Sequence, residues 1–149
     1  MDAVTYPQKA VAEFLTESMV TVRIPFDNPL SQEYSVIWIP ALVSLDWNGA
    51  EHYRTVGFMA AEELVPSLLL GCAKVYGDLK HFDTAFAAIE KIISDYPKSD
   101  AAPESLFARG VYGYKSTHDP APLKEAYEQL NKRYPQNQWT KRAYPYRLL

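Results

Sequence analysis

The chain has 149 residues, of which 48% are apolar and 22% charged, and its formal net charge is −3. This composition is ordinary for a globular protein of one medium domain or two small ones. The acidic balance argues against nucleic-acid binding, which needs a basic face, and no window approaches the roughly 18 apolar residues of a membrane span. Residues 1–7 carry no basic stretch followed by an apolar run, so no signal peptide is predicted. A single cysteine cannot form an internal disulfide, and we expect a cytoplasmic protein.

The first half of the chain is predicted to alternate between helix and strand. Apolar residues at helical spacing indicate helices, runs of β-branched residues indicate strands, and Asn48-Gly49 is a strong hairpin turn signal. A nearly continuous apolar run, such as residues 41–45, is typical of a strand covered on both faces. The predicted elements are a helix over 8–17, a strand over 19–24, a short helix over 31–34, a strand over 41–45 and a returning strand over 51–56. This order predicts an α/β layer structure.

The second half is predicted to be helical, because no convincing strand follows residue 60. Pro66 and Gly71 are possible break points in its first helix. The predicted helices cover residues 60–76, 82–96, 105–115 and 123–134, with a short last helix from about residue 138. An internal repeat is also present, since Tyr96-Pro97 recurs as Tyr134-Pro135, 38 residues later.

The first copy of this repeat resembles a tetratricopeptide repeat, and the second copy is a weaker match. The residues that carry the resemblance are Leu69, Ala73, Tyr76, Phe82, Ala85, Ile89, Ile92 and Pro97. Each unit would be a helical hairpin that buries its apolar face against its neighbour. Two units are fewer than the roughly three that a free-standing array needs, so we expect the helices to dock on the first domain.

The stretch from Trp38 to Gly49 resembles the centre of a thioredoxin fold. An Ile-Pro step leads into an apolar strand, which ends in an Asp-x-Asn-Gly turn. The chain is similar to bacterial thioredoxin-family proteins with a tetratricopeptide-like extension. The resemblance implies an α/β thioredoxin-like fold over residues 1–70, incomplete at its N-terminus, followed by an all-α tetratricopeptide-like region over residues 71–149.

The resemblance also implies a peptide-binding site at Trp38, Ile39 and Pro40. Pro40 would follow a cis peptide bond, and the backbone of Ile39 would pair with an extended peptide by β-augmentation. A trans proline at the start of a strand is the alternative for Pro40. Trp38 is either an exposed aromatic beside the peptide or a residue of the core.

The redox chemistry of the thioredoxin family has no residues to carry it in this chain. Cys72 is the only thiol, and dithiol exchange needs a second thiol or a selenol. We therefore predict no catalytic residue and a redox-inactive module that binds a protein or peptide client. The alternative is a fragment of a thiol–disulfide oxidoreductase whose Cys-x-x-Cys or selenocysteine motif lies upstream of Met1. Cys72 itself is predicted to be buried and inert.

The remaining candidates are weaker. The three histidines are scattered without metal-ligand spacing, so neither a metal nor another cofactor is predicted, and His52 is predicted to be exposed.

The tyrosines of the last third either pack between helices or line a concave binding face. The tail, residues 144–149, either docks on the protein, mediates dimer contacts or is disordered. An incomplete sheet would leave an open strand edge, for which we expect cover from a homodimer or from the helical region.

Overall fold

A computed structural model describes all 149 residues of the chain. It divides into two compact units, Met1–Val65 and Pro66–Leu149. The boundary expected from the sequence, between residues 70 and 71, falls within a continuous helix. No helix combines the length and apolar character that a membrane span requires.

The first unit consists of short helices and one β-hairpin. Its elements are α1 (Lys9–Ser18), α2 (Pro29–Glu33), β1 (Ala41–Leu45), β2 (Glu51–Val56) and the first turn of α3 (Ala61–Asp78). The two strands are antiparallel, with Ala41 opposite Val56 and Val43 opposite Arg54, and the register shifts between Ser44 and Leu45. These two strands form the whole sheet.

The predicted thioredoxin-like α/β fold is therefore wrong. The chain contains seven α-helices and a single two-stranded sheet, and no thioredoxin-like core is formed. Residues 19–24, predicted as a strand, have no ladder partner, and Val20 is 95% exposed. The physical reason is that β-branched residues only favour an extended backbone, whereas a strand exists through pairing with a neighbour.

The second unit is helical, as the apolar periodicity of the sequence predicts. After α3 come α4 (Phe82–Asp95), α5 (Ala101–Thr117), α6 (Ala121–Arg133), α7 (Gln138–Ala143) and a final 3₁₀ helix (Tyr144–Leu148). Helix α5 packs against α4 and α6, and the 3₁₀ helix packs against α6 and α7. The tail thus docks on the protein, which settles one of the three alternatives left open by its sequence.

One core joins these helices. It is formed by small and large apolar side chains from the five α-helices α3 to α7, namely Ala73, Ala85, Ile89, Ile93, Leu106, Ala108, Tyr112, Leu130 and Ala143. Close approach of α5 and α6 depends on Gly110, because a Cβ atom there would lie 2.6 Å from the Cβ of Ala126. The two copies of the repeat also touch directly, since the hydroxyl of Tyr134 donates a hydrogen bond to the carbonyl of Pro97.

The predicted break points in α3 are wrong. The helix continues through both Pro66 and Gly71. An internal proline costs a helix about 3 kcal/mol and a glycine about 1 kcal/mol. Residues 64–71 are all buried, and burial of a helix face, rather than intrinsic propensity, supplies most of a helix's stability in a folded protein.

Candidate functional site

The three predicted site residues lie together immediately before β1. Trp38 is 69% exposed and Ile39 is 58% exposed, so Trp38 is a surface aromatic rather than a core residue. The Ile39–Pro40 peptide bond is cis, as predicted. The carbonyl of Pro40 accepts a hydrogen bond of 2.8 Å from the amide of Gly57, which extends the pairing of the hairpin by one step. Ile37, which the sequence did not single out, is 88% exposed and extends the same apolar segment.

Arg54 and Tyr34 fix the backbone that leads into this segment. The Arg54 guanidinium donates to the carbonyls of Tyr34 and Ser35 from its place on β2. The Tyr34 hydroxyl donates to the carbonyl of Gly49 at 2.9 Å. Because the bonds of Arg54 and of Tyr34 both tie residues 34–35 to the hairpin, the segment after Ser35 starts from a defined position on it. Nothing in the sequence signals these bonds, since the partners are distant along the chain.

Glu51 completes the Arg54 cluster. Its carboxylate accepts two hydrogen bonds from the guanidinium, at 2.8 and 2.6 Å. This bonding holds the pKa of Glu51 below the ordinary value of a glutamate. It also raises the pKa of Arg54 above the ordinary value of an arginine. The pair is bidentate, which fixes the orientation of the guanidinium plane and so directs its remaining donors at the carbonyls described above.

The hairpin turn is organised by Asp46. Its carboxylate accepts hydrogen bonds from the amides of Asn48 and Ala50 at 2.8 and 2.9 Å, and Gly49 adopts the positive φ that the turn requires. His52 lies 3.3 Å from the same carboxylate, and its side chain is only 13% exposed, so the expectation of an exposed histidine is wrong. The bond from Ala50, with those from His52 and Asn48, holds the pKa of Asp46 below its ordinary value.

These bonds predict an acid-sensitive hairpin. A carboxylate whose pKa is lowered by folding stabilises the folded state above the unfolded pKa, here 3.8, and the effect disappears as the pH falls through the folded pKa. We expect Asp46→Asn to be less stable than the parent chain at neutral pH and the difference to shrink in acid. The difference in the free energy of unfolding is measured by urea unfolding at several pH values. The signal is the fluorescence of Trp47, with Trp38 and Trp139 replaced by phenylalanine. Asp27→Asn, at an exposed position, is the control, and a difference independent of pH would contradict the assignment.

The other candidate residues do not form a second site. Cys72 is half-buried, and burial raises the pKa of its thiol, which disfavours the reactive thiolate. No three His, Cys, Asp or Glu side chains come together in a metal-binding group. His81 and His118 both lie at helix ends, each beside the ring of a tyrosine.

The tyrosines of the last third mainly pack between helices. Tyr112 is buried in the core, and Tyr146 stacks on Phe107 with ring centroids 5.8 Å apart. Tyr114 and Tyr144 are 41% and 52% exposed; the ring of Tyr114 lies beside that of His118, and the ring of Tyr144 lies beside that of Tyr127. The concave binding face that the sequence leaves open for the other tyrosines stays a prediction.

A groove on the helical unit has a structural explanation. It has a volume of about 310 Å³ and lies where α4, α5 and α6 meet. Arg109 bridges its two rims, with ion pairs of 3.0 Å to Glu90 and 3.1 Å to Glu125. The charges of the groove are thus already paired across the three helices.

The fold and site together define a protein of packed helices with an open-edged β-hairpin that carries an exposed apolar segment. No protein-family model matches the sequence, and comparisons with curated proteins and with solved structures find no significant match.

Proposed function

We propose that this protein binds an extended polypeptide segment along the free edge of β1, with Trp38 and Ile39 contacting the side chains of the bound segment. The observation that carries the proposal is an exposed, uncharged apolar segment next to an unpaired strand edge. The cytoplasmic location expected from the sequence belongs to the same proposal. The oxidoreductase alternative concerns sequence upstream of Met1 and stays a hypothesis.

The free edge supplies main-chain recognition. Strand β1 pairs with β2 alone, so the amide and carbonyl groups on its other side have no partner in the sheet. An extended peptide satisfies such groups by adding a strand, which is the β-augmentation mode of recognition. A strand of five residues, Ala41–Leu45, suits a bound segment of about the same length.

The apolar segment supplies side-chain recognition. Ile37, Trp38 and Ile39 are separated from the strand only by Pro40, and all three are more than half exposed. Tryptophan is among the residues that most often dominate binding energy at interfaces. No charged residue occurs from residue 36 to residue 45, so the site matches a segment whose side chains at alternating positions are apolar.

The Arg54 and Tyr34 bonds reduce the cost of binding. A loop that must become ordered on binding loses conformational freedom, and that loss subtracts from the affinity. Here the chain before the site is already tied to the hairpin at the carbonyls of Tyr34 and Ser35. The site is therefore largely preformed.

The proposal is tested with peptides selected from a random display library and measured by fluorescence anisotropy. We expect selected peptides to be apolar and extended, and Trp38→Ala to weaken their binding about tenfold, which corresponds to about 1.4 kcal/mol. Trp47→Ala is a matched control, because Trp47 is also 69% exposed but lies in the turn beyond the other end of β1.

N-methylation of the peptide tests the binding mode. Methyl groups on the amides that face β1 should abolish binding, and those on the alternate amides should be tolerated, because strand pairing uses every second residue of one edge. Failure to select any peptide, or equal effects of the two tryptophan substitutions, would overturn the proposed function.

A further inference from the structure

We infer that residues 19–24 of a second copy of this chain occupy the free edge of β1, so that the protein forms a symmetric dimer by exchange of strands. The inference rests on the proposed function, because it uses the same strand edge, and it names the occupant. Four observations on the first unit lead to it.

The first observation is a strand-like segment without a partner. No hydrogen bond within the chain involves the backbone of residues 20–24. The apolar side chains of Val20, Val22 and Ile24 alternate with Thr21 and Arg23, which is the period of a half-buried strand. Val20 and Val22 are 95% and 76% exposed, so the segment has the pattern of a strand and lacks the neighbour that would make it one.

The second observation is that little holds the segment in place. Its one ion pair joins Arg23 to Asp2 at 2.8 Å, and the two side chains are 83% and 60% exposed. Exposed ion pairs of this kind contribute about 0–1 kcal/mol. Moving the segment onto another molecule therefore costs little.

The third observation is that the five residues of β1 include none of the charges or prolines that usually protect an edge strand. Natural edge strands avoid pairing with other chains through charged residues, prolines or cover from another element. Strand β1 has the sequence Ala-Leu-Val-Ser-Leu, without charge or proline, and its outer edge is uncovered within the sheet. Donor and acceptor therefore occur in the same chain, which is what a closed two-fold exchange requires.

The fourth observation is the amount of exposed apolar surface. Thirteen large apolar side chains of the first unit are exposed, against five in the second unit. At about 150–250 Å² for each whole aromatic side chain, the exposed parts of Phe26, Trp38, Trp47 and Phe58 present roughly 500 Å². With the nine aliphatic side chains, the first unit exposes more large apolar surface than the about 800 Å² that each partner buries in a stable complex.

The test is the mass of the protein in solution, measured by sedimentation equilibrium over a range of concentrations. We expect a dimer for the parent chain and a monomer for Val22→Pro, because proline removes the amide and blocks strand pairing. No hydrogen bond of the monomer is lost, since the backbone of Val22 makes none. Val22→Ala is the matched control, which keeps the amide and should still dimerise.

Hydrogen exchange gives a second measurement that does not depend on the variants. The amides of residues 20–24 should exchange slowly in the dimer and become at least tenfold faster on dilution to the monomer, since pairing is what protects them. In addition, a synthetic peptide of residues 19–26 should bind the Val22→Pro monomer.

The outcomes separate this inference from the proposed function. A parent chain that is monomeric at every concentration, or a Val22→Pro variant that dimerises as well as the parent, would overturn the inference. If such a chain still bound selected peptides through Trp38, the proposed function would stand. If the chain dimerised as expected but no foreign peptide bound the Val22→Pro monomer, the edge would serve assembly alone.

Discussion

Leu130→Ala is expected to lower the free energy of unfolding of the helical unit by about 2–5 kcal/mol. Leu130 is fully buried in the core that joins α3 to α7. Removing its three terminal carbon atoms costs the hydrophobic free energy of those atoms and leaves a cavity that the surrounding helices fill only in part. Since small domains are stable by about 5–15 kcal/mol in total, the loss is a large fraction of the stability.

Urea unfolding followed by the fluorescence of Trp139 measures this effect. Trp139 packs against Phe107 with ring centroids 5.1 Å apart, and replacing Trp38 and Trp47 with phenylalanine makes it the only tryptophan signal. Leu148→Ala is the matched control, because Leu148 is 76% exposed and should change the stability by less than about 0.5 kcal/mol. Equal effects of the two substitutions would show that α6 is not packed as described.

Gly77→Ala is expected to destabilise the helical unit by about 1–3 kcal/mol through overpacking. In an open helix position the same change stabilises by up to about 1 kcal/mol, so the packing determines even the direction of the effect. A Cβ atom at residue 77 would lie 2.3 Å from Cζ of Tyr112. That ring is 5% exposed and belongs to the core, so it has little room to move aside.

The polar end of Tyr112 restricts it further. Its hydroxyl lies 3.4 Å from a carboxylate oxygen of Asp78, and burial together with that carboxylate raises the pKa of Tyr112 well above its usual range. The hydroxyl therefore stays protonated and donates to Asp78. A double-mutant cycle with Tyr112→Leu tests the mechanism, since Gly77→Ala should cost less once the ring is absent. An unchanged cost in that background would contradict the proposed clash.

The helices could be predicted from the sequence because the residues that determine where each helix forms and ends are neighbours in the chain. The Tyr96-Pro97 stop predicts the end of a helix, and α4 ends at Asp95; the last helix, expected from about residue 138, begins at Gln138. Each prediction uses apolar spacing and punctuation within a few residues. The predicted break points at Pro66 and Gly71 were wrong because the burial of residues 64–71 outweighs the cost of a proline and a glycine inside a helix.

The candidate site was predicted in part. Trp38, Ile39 and Pro40 form a surface segment with the expected cis bond, whereas the bonds from Arg54 and Tyr34 that hold it were missed. These partners are brought together only by the hairpin, and neither residue type is unusual on a strand or in a loop. The Asp46 turn, by contrast, follows from residues that are neighbours in the sequence.

The sequence by itself determined the helical half and the hairpin over residues 41–56, because each depends on nearby residues, whereas the cis Ile39–Pro40 bond was expected only from the thioredoxin resemblance, since an X–Pro bond is usually trans. Only the tertiary structure decided that the sheet stops at these two strands and leaves out residues 19–24. A strand needs a partner at a distance along the chain, and residues 19–24 have strong β-propensity but no partner. The resemblance of residues 1–70 to a thioredoxin fold rested on the Ile-Pro step, the strand and the turn of residues 38–49, which the structure contains, whereas the further strand pairing that would build that fold is missing. The same missing pairing leaves the edge of β1 open, and the proposed binding depends on that edge.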